Sequence, residues 1–473
     1  MTAESSPAGH WSKNFAALSI HRREDWAVTM KGFNRFVWDF EQGKGQNLHG
    51  IFQSHGQMII ANNEESLKAH DIENGWDWTK IPGATTMNLT LYETLLKKAR
   101  YFSPRSSAGG VTFKGPEPIA SGLFAMDFHQ PDYQFLNVSD RHRNIKLYFK
   151  KSVFFFQSVL VCLGSNIKIE NGPGKEAQTT LFQDKLRRGS STFTIEVDGV
   201  TKGMSVPFPA ETPALSSEGY ITLTDTKGNS YYIPSSSASS LKVKVENQSS
   251  KTPADKPSSG YYATAWFEHS SSDDKYEYAI YVKTPSYPTS ASDVWKSQAT
   301  STTRKVYTVL KQDNKAHVVK FEMTTERWNW IDAQYGYAIF GSIVELPAEG
   351  PVKAVSKDCL IMAKEDSKFL YLSISYPDLA FPTSKPLEKI QDIKVKEEYK
   401  MESEDTKMQV ALRYDVLKTL PTKAYAHGSP ADYLPIVRVE SLSSPKANKG
   451  NRVVFVNLKN GFSVEVKLRK YSE

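Results

Sequence analysis

The sequence has only two cysteines in 473 residues, Cys162 in "VLVCLGSN" and Cys359 in "KDCLIM". Neither belongs to a CxxC pair, which excludes the common thiolate zinc and dithiol redox motifs. Both lie in apolar runs, where buried free thiols are the first reading and a single disulfide the alternative. No apolar run is long enough to span a bilayer, so no membrane association is expected. The N-terminal "MTAESSPAGHW" lacks the basic start and apolar stretch of a signal peptide. An excess of one charge is nearly absent: 59 basic against 52 acidic residues leave +7, a bias that permits an acidic partner without demanding one. "HRR" at 21–23 and "KLRR" at 185–188 are too short for a nucleic-acid arm, and no nucleic-acid partner is expected. GxSxG, HExxH, Walker and EF-hand patterns are all missing.

What is present is strand. An apolar fraction of 39% with 12% aromatics supplies a packed core and excludes global disorder. "STFTIEVDGVTKGMSV" alternates and turns at Asp198-Gly199, "GYITLTDTKGNSYYIP" reads as two strands around Gly228-Asn229, and "RVVFVNLKNGFSVEVKL" turns at Asn460-Gly461. "KSVFFFQSVLVCLGSNI" does not alternate, as expected of a sheet buried on both faces. Helical stretches are few and short, "LYETLLKKA" near Leu91 and "SDVWKSQA" near Ser292. Serine-rich segments from Pro234 and Asn247 read as exposed loops. The chain is therefore expected to be all-β and built of antiparallel sandwiches. A composition change at "VELPAEGPVKAVSKDC" places a boundary near Gly350, giving units 1–350 and 351–473.

Chemistry-bearing residues are sparse. In "RFVWDFEQGKGQNLHGIFQSHG", strand alternation over 35–41 would put Phe36, Trp38 and Phe40 on one face. Arg35, Val37, Asp39 and Glu41 would share the other, toward water or a cleft. Asp39 and Glu41 would then be neighbours, the minimum for a two-carboxylate glycosidase. "HSSSDDKYE" gathers His269, Asp273, Asp274 and Glu277, but a hard cation needs several converging oxygens. A loop entering a strand explains these residues more simply, so no metal or other cofactor is expected. In "NGWDWTKIPGATT", Trp76 and Trp78 flank Asp77. They either stack on sugar rings or pack into the core beneath a turn, the simpler reading.

"NGWDWTKIPGATT" resembles the corresponding segment of family eight polysaccharide lyases, especially the chondroitin sulfate ABC type. Further segments fit in order: "FAALSIHR", "VWDFE", "FQSHG", "LGSNI", "TTLFQ", "AWFEHS", "YEYAIY" and "VYTVLKQD". The resemblance covers nearly the whole chain and is strongest before residue 330. It implies a large antiparallel β-sandwich of the supersandwich, galactose-mutarotase-like type, followed by a smaller C-terminal β-sandwich. It also implies an N-terminal α/α toroid as partner domain, with this chain beginning where the toroid ends.

By resemblance the activity is glycosaminoglycan degradation by β-elimination at a uronic acid. The substrate would be chondroitin or dermatan sulfate, with hyaluronan a further candidate. The implied location is periplasmic or secreted, in a bacterium. Most of the family's reacting groups sit on the toroid, and no counterpart is assigned here. The one supplied by the β portion is a glutamate that falls on Glu41 of "VWDFE", where it supports catalysis by orienting cationic residues. Arg35, His55, Trp76 and Trp78 are candidate substrate-binding residues along the same cleft wall. The competing expectation is a non-catalytic carbohydrate-binding β-sandwich protein, since fold does not fix function.

Overall fold

The computed structural model describes residues 7–470 other than 44, 63, 96–102, 104, 132–144, 187–192, 198–199, 205–207, 271–273, 285–289, 303–304, 324–329, 343, 379–405, 417–421, 428–436, 442–451 and 460. The described strands form five antiparallel sheets of four, five, nine, seven and five strands. The chain is all-β, as its residue pattern predicts.

The four-stranded sheet is a simple meander of Gly9–Lys13, Leu18–Arg22, Ala27–Lys31 and Gln57–Ala61. It shares one core with the first five-stranded sheet and the nine-stranded sheet, through side chains such as Met30, Val243 and Val153. At the centre of the nine-stranded sheet lie Lys146–Phe156 and Val159–Glu170. Their long apolar run is explained by two cores. Val153, Phe155, Leu160 and Cys162 enter the first core. Phe154, Phe156, Val159, Val161 and Leu163 enter a second core on the opposite face. Both faces are covered, so no polar alternation is required.

The second core joins this sheet to the seven-stranded one, where Phe156 stacks on Phe321 at 4.7 Å. The far face of the seven-stranded sheet packs on the last five-stranded sheet through a third core. Cys162 and Cys359 are buried free thiols in different cores, which excludes the disulfide alternative.

The segment near Gly350 is a turn inside the second sandwich. Val344–Glu345 pairs with Val352–Val355 across it, and Trp330–Ile339 pairs with Cys359–Glu365. Strands on both sides of 350 thus build the same sheets. The Pro and Gly content there serves a turn, with Gly350 at φ +95°, a conformation that favours glycine. Among the expected hairpins, Tyr220–Thr224 pairs with Ser230–Pro234. The Asp198-Gly199 turn and Asn460 lie outside the described residues. The helix near Leu91 spans Leu91–Thr94, held by a capping box between Thr90 and Glu93; the helix near Ser292 spans Ala291–Thr300.

Candidate functional site

The segment carrying Glu41 follows Ala27–Lys31 and precedes the short turn of helix Gly50–Phe52, and it is not a strand. The expected alternation over 35–41 fails. Asp39 and Phe40 are both buried, Phe36, Val37 and Trp38 are half-buried, and Glu41 is exposed. The cause is Asn34, whose side-chain oxygen accepts from the backbone N–H of Phe36 and of Val37, each at 2.8 Å. Such Asx-type bonds compete with sheet pairing for the backbone donors. Asp39 likewise accepts from the N–H of Phe40 at 2.7 Å. Because Asp39 is inside and Glu41 outside, the two do not form a carboxylate pair on one face, and the glycosidase arrangement is removed.

The far end of this loop is pinned as well. The carbonyl of Asp39 accepts from the Ser54 hydroxyl. The carbonyl of Glu41 accepts from the Asn47 side chain at 2.8 Å, and the same Asn47 amide donates to Gln53 at 2.9 Å. The result is an exposed carboxylate on an irregular backbone whose position is set by side-chain hydrogen bonds. Burial lowers the pKa of Lys31 to about 8, with the nearby Asp39 charge opposing the shift.

Arg35 engages Asp378 as a fork: Nε lies 3.0 Å from Oδ1 and Nη2 lies 2.7 Å from Oδ2. Its guanidinium also sits 4.4 Å above the Phe36 ring. Two of its donors are thus committed to a carboxylate of the second sandwich. No sequence signal links these residues, which lie 343 positions apart.

Three other candidates prove to be core. His55 is 0% exposed, with ring centroids of Phe33, Phe52 and Phe128 at 5.4, 5.2 and 4.6 Å. Burial lowers its pKa to about 3, the Lys151 charge acting in the same direction and Gln130 against it. It is a neutral imidazole in an aromatic box and does not line a cleft. Trp76 and Trp78 are 1% and 0% exposed, so neither presents a face to a sugar. The Trp78 indole donates to the Lys251 carbonyl at 2.8 Å and stacks with His49 at 5.9 Å. Trp76 meets His70 edge-on at 4.6 Å. With Asp77 outward, the Trp-Asp-Trp alternation places both indoles in the core beneath the turn.

Lys151 is the buried group that sequence reasoning missed. Burial lowers its pKa to about 7, with Cys162 opposing, and its ammonium donates to the Gly83 carbonyl. A Cβ on Gly56 would lie 2.7 Å from the Lys151 side chain, so the glycine of "FQSHG" makes room for it. The signal was the Lys150-Lys151 pair inside an apolar strand. Around "HSSSDDKYE", His269 meets Thr179 at 2.9 Å and Asp274 at 3.6 Å, whereas Glu277 accepts from Tyr307 at 2.9 Å. Asp273 lies outside the described residues. Among the described residues no three His, Cys, Asp or Glu side chains are grouped to hold a metal ion.

The chain is 28% identical over 385 residues to a chondroitin sulfate ABC endolyase of Proteus vulgaris, covering 80% of this chain and 34% of that protein. It is 26% identical over 355 residues to a hyaluronate lyase of Staphylococcus aureus, covering 72% and 38%. The chain thus spans about a third of the length of these relatives. Its fold matches a Paenibacillus xanthan lyase with a TM-score of 0.69 at 18% identity, over 100% of this chain and 38% of that one. It also matches a Streptomyces coelicolor chondroitin AC lyase with a TM-score of 0.64 at 15% identity, over 99% and 50%. The model of the polysaccharide lyase family 8 super-sandwich domain matches residues 11–293, and the chain belongs to that family.

Proposed function

We propose that this chain is the β-sandwich portion of a glycosaminoglycan lyase. Its substrate would be chondroitin or dermatan sulfate, with hyaluronan as a further polymer of the same uronic-acid chemistry. The observation that carries the reading is Glu41, an exposed carboxylate on a backbone fixed at both ends. In β-elimination a base removes the C5 proton of the uronic acid, leaving an anion delocalised into the carboxyl group. As its electron pair forms the C4–C5 double bond the C4–O bond breaks, and an acid protonates the departing oxygen. The substrate carboxylate must be neutralised for the C5 anion to delocalise. A glutamate cannot neutralise a carboxylate. Its role is to accept charge-assisted hydrogen bonds from cationic groups and hold them in register.

Those groups belong to an N-terminal α/α toroid of the complete enzyme, with this chain forming one wall of the cleft. The relatives' lyase activities and their greater length support that arrangement. A bacterial periplasmic or secreted location follows from the extracellular substrate. No described helix is long and apolar enough to cross a membrane. The carbohydrate-binding alternative loses its aromatic platform, since Trp76 and Trp78 are buried.

The test is direct. This chain alone, incubated with chondroitin sulfate, should produce little or no ultraviolet absorbance of unsaturated uronate, whereas the complete enzyme should produce it continuously. Robust turnover by the isolated chain would overturn the division of labour.

A further inference from the structure

The Glu41 loop has no ladder of backbone bonds to hold it. Its start is fixed by Asn34, which turns the chain and donates to the Ala108 carbonyl at 3.3 Å. The next residue, Arg35, reaches across to Asp378, three residues beyond the strand Phe369–Ser375 of the second sandwich. That strand end is itself docked on the first sandwich. Ser375 accepts from the Asn14 side chain at 3.2 Å, and the Gly461 carbonyl accepts from it at 2.5 Å. Pro377 lies so close over Gly109 that an added Cβ there would stand 2.8 Å from the proline ring.

Asn34 and Pro377 therefore rest on consecutive residues, Ala108 and Gly109, of one strand, Ser107–Phe113. The Arg35–Asp378 pair closes a ring through that strand, with one side in each sandwich. Both oxygens of Asp378 are engaged in the planar geometry that a lysine would not reproduce, and Tyr376 donates to one of them at 3.4 Å. The two side chains are 31% and 17% exposed. Ion pairs near the surface typically contribute about 1 kcal/mol or less, and a bidentate, partly shielded pair such as this can contribute more, so its effect on the reaction has to be read apart from its effect on stability. A shift at Arg35 would be carried along six residues to Glu41.

We propose that Asp378 is a positioning residue: by clamping Arg35 it lets the second sandwich set where the Glu41 loop stands in the cleft. This rests on the role of Glu41 proposed above. It also gives the second sandwich a task in the reaction.

The experiment uses the complete enzyme containing this chain, in five forms: wild type, Asp378→Asn, Glu41→Gln, the double variant of these two, and Arg35→Gln. Asp378→Asn should lower kcat at least about tenfold, as small misplacements do, with KM changed by no more than about twofold. Its melting temperature should stay within about 3 °C of wild type. In the Glu41→Gln background the same substitution should have no further effect on kcat, because the group it positions is gone. Arg35→Gln, acting on the other half of the clamp, should reproduce the Asp378→Asn kinetics. An equal loss from Asp378→Asn in both backgrounds would overturn the proposal, as would wild-type kcat in Asp378→Asn. If Asp378→Asn is wild type while Glu41→Gln is impaired, only the clamp fails. If Glu41→Gln itself is wild type, the site reading fails and takes the clamp with it.

Discussion

Segments 33–43 and 74–86 both carry residues that the family resemblance singles out, yet they do opposite work. Segment 74–86 is built inward. Trp76 and Trp78 are core, Gly83 offers its carbonyl to the buried Lys151, and the Asp77 carboxylate accepts from Thr79 at 2.7 Å. Segment 33–43 is built outward. It buries Phe33, Asp39 and Phe40 as ballast and leaves Glu41 at the surface. A motif can thus be prominent because it is architecture. The residue to which we assign a chemical task sits in the less regular stretch, held by Asn34, Asn47 and Arg35 instead of by a sheet.

The largest expected effect breaks the inward segment. Trp78→Ala should destabilise this chain by about 3–5 kcal/mol, the range for emptying a large aromatic site in a core. Chemical denaturation measures it. A variant with wild-type stability but weakened glycosaminoglycan binding would return Trp78 to the binding site and collapse the contrast.

A smaller effect tests whether His55 is architecture too. Its folded pKa of about 3 lies below the ordinary 6.5, so between these values the unfolded chain holds a proton that the folded chain does not. Stability must therefore fall as pH drops below 6.5 toward 3, by about 1.4 kcal/mol per pH unit for one such imidazole. Burial also lowers His317 to about 3, with Lys150 acting the same way and Asp313 opposing, so it adds to the slope in the same direction. His55→Gln should remove one proton's share. The variant's stability loss between pH 6.5 and pH 5 should be smaller than wild type's by about 2 kcal/mol, as read from denaturation midpoints. Parallel pH profiles for the two proteins would show His55 to be protonated in the fold.

The smallest stability effect belongs to the outward segment. Glu41→Gln should change unfolding free energy by no more than about 0.5 kcal/mol, as for a surface substitution. A large loss would make Glu41 a structural residue like its counterparts in 74–86.

Much of the fold could be read from residue pattern, because its causes are local. The non-alternating run from Lys151 to Ile167 announced a sheet with two buried faces, and those faces feed two cores. Where pattern misled, a specific competitor won. Alternation over 35–41 lost to the Asn34 side chain. The turn at Gly350 looked like a domain boundary because turns and boundary segments share Pro and Gly. His55 looked polar but lies among phenyl rings. The Arg35–Asp378 clamp was invisible because its cause is tertiary, created only when the two sandwiches dock.

The central claim is that the β portion contributes a working carboxylate to a site completed elsewhere. The most direct measurement is the initial rate of unsaturated-uronate formation by the complete enzyme carrying Glu41→Gln, at saturating chondroitin sulfate. The account predicts a loss of at least about tenfold with the fold intact, as for a group that orients charge in the transition state. A wild-type rate would contradict it.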